Sequence, residues 1–249
     1  RYSVDMIGYL AHLAVDRRWL LVGAVREEQL EPETAVARLL ATAMREGLCR
    51  KVELQCLSRG QCHELVAAML PSASGSPALL DEIYELSRGN PMFARELAAQ
   101  VGAQGQHDGR RDGTRASARL ANCVPSRVRA LAETRLASLD STTQRILLLA
   151  AATATKEVSF ANLRGGAAAL DPPVGDSALL DALDRASEIR LLEEHDDGYV
   201  FRDPLVRSAF YERLSRERRA QLGDALRSSL GPYAIRGEER RRVPLWRAS

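Results

Sequence analysis

A mixed α/β, mostly helical fold is predicted by three features of the 249-residue sequence. Several stretches carry apolar residues at helical spacing. Residues 19–25 (WLLVGAV) form a short unbroken apolar run, and two short segments late in the chain flank an Asp-Gly pair suited to a tight turn. A strand apolar on both faces belongs to a parallel sheet covered by helices on each side, so the first part of the chain is expected to be an α/β layer.

In chain order, residues 4–15 place Ile7, Leu10, Ala11 and Ala14 on one helical face, ahead of the predicted strand at 19–25. Residues 33–47 repeat apolar side chains at Val36, Leu39, Leu40 and Ala43 before a glycine stop, and a second strand is expected at 51–55. Ser58 with Gln61 matches a capping box, opening a helix whose stripe is Leu65, Val66, Met69 and Leu70. The Ser, Gly and Pro-rich residues 71–77 close it. A helix over 78–88 ends at Gly89, and Pro91 suits the first position of the next helix, so Gly89, Asn90 and Pro91 make a tight corner.

From 102 to 119 the apolar period is lost, and residues 104–122 read as a flexible linker between a first domain at 1–103 and a second at 123–230. Helices are expected from Pro125 to Leu139, from the Asp140 cap to Ala154, and over 176–188, with a Gly and Pro-rich stretch at 165–175. A hairpin over 189–193 and 199–202 and two helices, 204–214 and 216–230, complete a winged-helix arrangement. Residues 231–249 have mixed charge and no period and read as a disordered tail.

Composition narrows the function classes. No apolar run approaches the roughly 18–20 residues that span a bilayer, no secretory signal is visible at the start, and the chain reads as cytoplasmic. The formal charge of +2 argues against a surface given over to nucleic acid. Cys49, Cys56, Cys62 and Cys123 lack paired metal-ligand spacing and read as buried packing thiols. His12, His63, His107 and His195 show no metal-ligand spacing, and no hydrolase motif occurs.

Three segments carry a family likeness: LLVGAVRE at 20–27, LDEIYELSRGNPMFAREL at 80–97 and YVFRDPLVRSAFYERLSRERRAQL at 199–222. In this order they resemble the ATPase module of large LuxR-type bacterial transcriptional regulators and of cyclase-linked relatives, the STAND class. The resemblance covers most of residues 1–230 and implies part of a P-loop NTPase sheet with its helical lid, followed by a helical and winged-helix domain.

It also implies site residues. The strand-end Arg26 corresponds to the family's nucleotide sensor, a task that suits a guanidinium because it stays charged and offers forked donors. Gly89, Asn90 and Pro91 correspond to contacts on the base and ribose, with Phe93 nearby; read on their own, the three are a helix stop, a turn residue and a helix start. Glu96 resembles a recurring family glutamate, and as a bare residue is a helix-surface or packing charge. Asp203 stands at the winged-helix switch position, where many relatives carry a phosphate-contacting histidine; a carboxylate there repels phosphate. Gly223 also replaces a frequent histidine. Arg216, Arg218 and Arg219 form a basic run that reads as a solvated face, so direct DNA contact is not expected.

Neither a G-x-x-x-x-G-K-[ST] loop nor a strand-end acidic residue for magnesium is present, and no catalytic residue is assigned. The resemblance implies ATP or ADP with magnesium in an intact parent, whose P-loop half would be this chain's first partner. The chain by itself is expected neither to bind nucleotide tightly nor to hydrolyse it. Further partners implied are an output DNA-binding domain and a homo-oligomer formed on activation. Two other readings stay open: a stand-alone winged-helix DNA-binding protein, and a truncated product without activity of its own.

Overall fold

The computed structural model of the chain describes residues 2–26, 30, 33–70, 76–108, 120, 124–153, 155, 157–195 and 198–229. They divide into two compact units, Arg1–Gln55 and Cys56–Ser249. The division falls after the second expected strand and not within 104–122, because the corner helices share one apolar core with everything that follows them. Residues 109–119, 121 and 122 of the expected linker, Cys123, Leu230 and the expected tail at 231–249 lie outside the described residues.

In the first unit, α1 (Tyr2–Val15) and α2 (Ala35–Arg45) lie against each other. Thr34 caps α2 by accepting a bond from the Ala37 amide at 3.2 Å. Gly47, at φ 69°, ends it, with the Leu48 amide donating to the Ala43 carbonyl at 2.8 Å. The two helices come close at Gly8, where a Cβ would stand 3.0 Å from Leu39.

The strands expected at 19–25 and 51–55 are not formed; both stretches are extended or irregular and exposed. A strand exists only by pairing its backbone groups with a neighbour, and among the described residues neither segment has one. Their apolar side chains, including Leu20 at 86% and Leu54 at 91% exposure, therefore face solvent. No parallel sheet is found among the described residues.

The second unit is mostly helical around one continuous core. It opens with α3 (Arg59–Met69), α4 (Pro77–Ser87) and α5 (Pro91–Asp108), which pack on Cys62, Val66, Ile83, Phe93 and Leu97. Both bonds of the Ser58–Gln61 capping box are made. There follow α6 (Ser126–Ala137), α7 (Ser141–Ala151), β1 (Glu157–Val158), α8 (Phe160–Ala168), α9 (Asp176–Glu188), β2 (Leu192–His195), β3 (Gly198–Phe201), α10 (Pro204–Arg213) and α11 (Arg216–Ser229). Asp140 caps α7 by accepting from the Thr142 and Thr143 amides, each at 2.9 Å. The Thr143 hydroxyl, which donates to the same carboxylate, and after it these amides hold the Asp140 carboxyl below the usual range.

The strands form one antiparallel sheet in the order β1-β3-β2, with Glu157 opposite Val200 and Leu192 opposite Phe201. Strand β1 and helix α8 go beyond the sequence expectation. The glycines at 165–166 that suggest a loop lie inside α8, because a Cβ at Gly166 would press on Leu149 at 3.0 Å and Leu226 at 3.2 Å. Here glycine serves a close crossing of helices, at the cost of helix propensity. Helix α9 ends with Arg190 at φ 53° and the Leu191 amide bonded to the Ala186 carbonyl at 2.9 Å, a turn that aims the chain into the hairpin. No helix among the described residues is long and apolar enough to cross a membrane.

Candidate functional site

The corner between α4 and α5 is specified by backbone needs. Arg88 ends α4 at φ 51° and Gly89 follows at φ 72°, two left-handed residues in succession. A Cβ on Gly89 would collide with the Leu57 carbonyl, while the Leu57 amide donates to the Gly89 carbonyl at 2.8 Å. Asn90 then caps α5: its side-chain oxygen accepts from the Met92 amide at 3.0 Å and the Phe93 amide at 3.4 Å, and Pro91 begins the helix. Helix stop, cap and helix start thus account for all three residues. Phe93 is 1% exposed and belongs to the core, so its ring is closed to a ligand; an aromatic one turn into a helix on the core side is buried by packing. Glu96 pairs with Arg127 at 3.1 Å and so ties α5 to α6.

Asp203 lies far along the chain yet close to this corner in charge terms. It precedes Pro204 at the start of α10, but its carboxylate makes no cap bond to the helix. It turns instead toward Arg135 of α6, 3.9 Å away, with only 14% of the side chain exposed. Burial pushes its carboxyl above the ordinary range, a shift opposed by Arg135, Arg202 and Arg88 and reinforced by Glu193. Arg88 of the corner is therefore among the charges that act on Asp203. Contacts between α4 and α10 within the same unit agree with this. Of the residues singled out by the sequence, the corner and Asp203 are brought into one neighbourhood.

Arg26 belongs to the first unit, is exposed and makes no ion pair among the described residues. The basic run at the start of α11 is largely engaged within the chain. Arg219 donates to the Tyr211 and Glu212 carbonyls, both at 3.1 Å, and lies 4.4 Å from the Tyr211 ring centre. Arg218 bonds Gln221 at 3.1 Å. Cys62 is buried, which raises its thiol above the ordinary value, but Cys49 and Cys56 are exposed, a correction to their expected packing role. The exposure follows from the unformed strand beside them. Cys123 lies outside the described residues. No group of three or more His, Cys, Asp or Glu that could hold a metal occurs among the described residues.

Three functional candidates escape sequence reading. Arg135 and Arg202 look like ordinary surface cations until the fold sets them beside Asp203. Arg207, in the P-L-V-R segment, is only 7% exposed and donates through Nη2 to the Thr153 carbonyl and hydroxyl just past the end of α7. Burial lowers its pKa to about 10. Among the described residues it has no carboxylate partner; the negative end of α7 compensates it, and its bonds clamp α10 to that helix. An apolar-arginine pattern repeating at the helix period would have been the only clue.

No family model, curated protein or solved structure matches the chain.

Proposed function

We propose that this chain is the nucleotide-sensing part of a cytoplasmic STAND-class signal-transduction ATPase, which couples the ATP or ADP state to an output domain in a LuxR-type transcriptional regulator. The observation that carries the reading is the meeting of two motifs distant in sequence: the Gly89-Asn90-Pro91 corner and Asp203 share Arg88 as a charged neighbour. A joint between a lid corner and a winged element is a place where ligand-dependent packing can bias two arrangements. Arg26 is the sensor in this reading, and the P-loop half supplies the phosphate loop and the magnesium ligand. That half also supplies neighbours for the exposed apolar segments at 19–26 and 51–55, whose residues suit interior strands.

The test is nucleotide titration of the protein at its full natural length beside R26A and D203H. Nucleotide binding that R26A weakens, with basal transcriptional output shifted by D203H, is the expected outcome. Binding indifferent to R26A and output indifferent to D203H overturn the reading. The 249-residue chain titrated alone is expected to show no micromolar affinity for ATP.

The DNA-binding alternative finds less support, since Arg219, the innermost cation of the basic run, is spent on backbone carbonyls and the Tyr211 ring.

A further inference from the structure

Helices α6, α10 and α11 leave a half-open cleft of about 440 Å³ between them. Its walls are Arg129 and Glu133 of α6, Ala209, Glu212 and Arg213 of α10, and Arg219 of α11. Arg129 and Glu133 stand one turn apart on α6, as Ala209 and Arg213 do on α10, so each helix turns one face to the cleft. Ala209 is buried, and its short side chain leaves the floor open. Part of the wall is fixed: Arg129 bonds Glu212 at 2.7 Å, and Arg219 donates to the Tyr211 and Glu212 carbonyls. Those bonds hold two guanidinium groups in place and pair off the Glu212 carboxylate. Two opposite charges are left over. Among the described residues neither Glu133 nor Arg213 has an ion pair or a hydrogen bond, with each other or with any other group. An acid and a base that line one cleft from different helices without meeting are complementary to a ligand that carries both charges apart.

We propose that this cleft binds a small zwitterion, a free amino acid or a short peptide, with its ammonium on Glu133 and its carboxylate on Arg213. An ammonium brings the donors that a free carboxylate accepts, and a guanidinium fork matches a carboxylate. A plain anion would meet Glu133 and Glu212, and a plain cation would meet three arginines, so a ligand of single charge faces like charge on one wall. Ala209 is the one apolar wall, which suits a short side chain, and the volume lies in the range of small-molecule sites. The site stands apart from the nucleotide reading: α6, α10 and α11 belong to one unit, and the sensor residue of that reading, Arg26, belongs to the other.

The test is an amide-shift NMR titration of dialanine into the 249-residue chain, E133Q and R213Q. It is repeated with N-acetyl-dialanine, which lacks the ammonium, and with dialanine amide, which lacks the carboxylate. Glu133 and Arg213 are exposed, so both variants keep the fold; melting curves check them, and E133A and R213A stand in should either fail. Each substitution is expected to weaken dialanine roughly three- to ten-fold, the scale of one partly solvated charge pair. The caps assign the two ends: E133Q should weaken dialanine amide and leave N-acetyl-dialanine unaffected, and R213Q should do the reverse. Dialanine that shifts no cleft residue up to roughly 10 mM overturns the site, as do capped peptides that bind as tightly as dialanine. Losses that ignore the caps overturn it too. Inorganic phosphate bound more tightly than dialanine would make the cleft a simple anion site and equally overturns the proposal. None of these outcomes bears on nucleotide binding, so failure here leaves the nucleotide reading standing.

Discussion

The two units differ in how they treat apolar side chains. From Cys56 onward the described residues enclose a continuous core, and the large hydrophobic side chains left exposed are Met69, Met92 and Leu180. Before it, Ala43 is the one buried hydrophobic residue described, while Tyr2, Trp19, Leu20, Val22, Val52 and Leu54 face solvent. The sequence before Cys56 is no less apolar than the sequence after it. What separates them is closure: a helix brings its own backbone bonds and needs a partner only for one face, whereas a two-faced strand needs neighbours for its backbone and for both faces. Apolar patterning therefore reports what a segment can bury, and the rest of the fold decides whether it does.

The largest expected effect sharpens this contrast directly. Phe93→Ala, in the closed core, should cost about 3–5 kcal/mol, whereas Leu20→Ser should stay within about 0.5 kcal/mol. Denaturant unfolding of the full chain measures both. A loss at Leu20 as large as that at Phe93 would show that the early segment is packed in solution and break the comparison.

Next comes Gly89→Ala, which forces a side chain into a left-handed residue and against the Leu57 carbonyl. A loss of about 2 kcal/mol or more is expected in the same assay. A loss of a few tenths would mean that the corner can relax. Asn90→Ala removes the cap from α5 and should cost about 1 kcal/mol. Amide exchange in the first turn of α5 reports it independently of the global melt.

The smallest effect is pH-dependent. The carboxyl of Asp203 is raised above its ordinary value of 3.8, so the fold favours its protonated form. That contribution is complete below the unfolded value and lost as pH rises through the folded one. Asp203→Asn should therefore melt at or slightly above the unaltered chain at neutral pH, with the difference fading in acid. Melting curves taken across that range check it, and a variant less stable at neutral pH would mean that the arginines outweigh burial.

Much of the second unit was legible in the sequence. The capping box of Ser58 and Gln61, the Asp140 cap, the Gly89 stop and the Pro91 start act through the nearest backbone, and each lies where its spacing indicates. The expected hairpin joins β2 to β3 with Gly198 opposite His195, while Asp196 and Asp197 lie outside the described residues. Strand β1 is too short to carry a period, and α8 is hidden by glycines whose reason is the approach of Leu149 and Leu226 from elsewhere in the chain. The arginines around Asp203 were hidden for the same reason: a cation's task is set by the element it meets, and α4, α6 and β3 meet there only after folding.

The bond from the Leu57 amide to the Gly89 carbonyl has a mechanical consequence. Being made of backbone atoms, it is indifferent to the side chain at position 57, and proline is the one natural residue there that would delete it. Leu57 directly follows the stretch of chain that found no sheet. A proline at position 57 would therefore release the turn that sets the direction of α5 from its backbone tie, while every other substitution there leaves that tie in place.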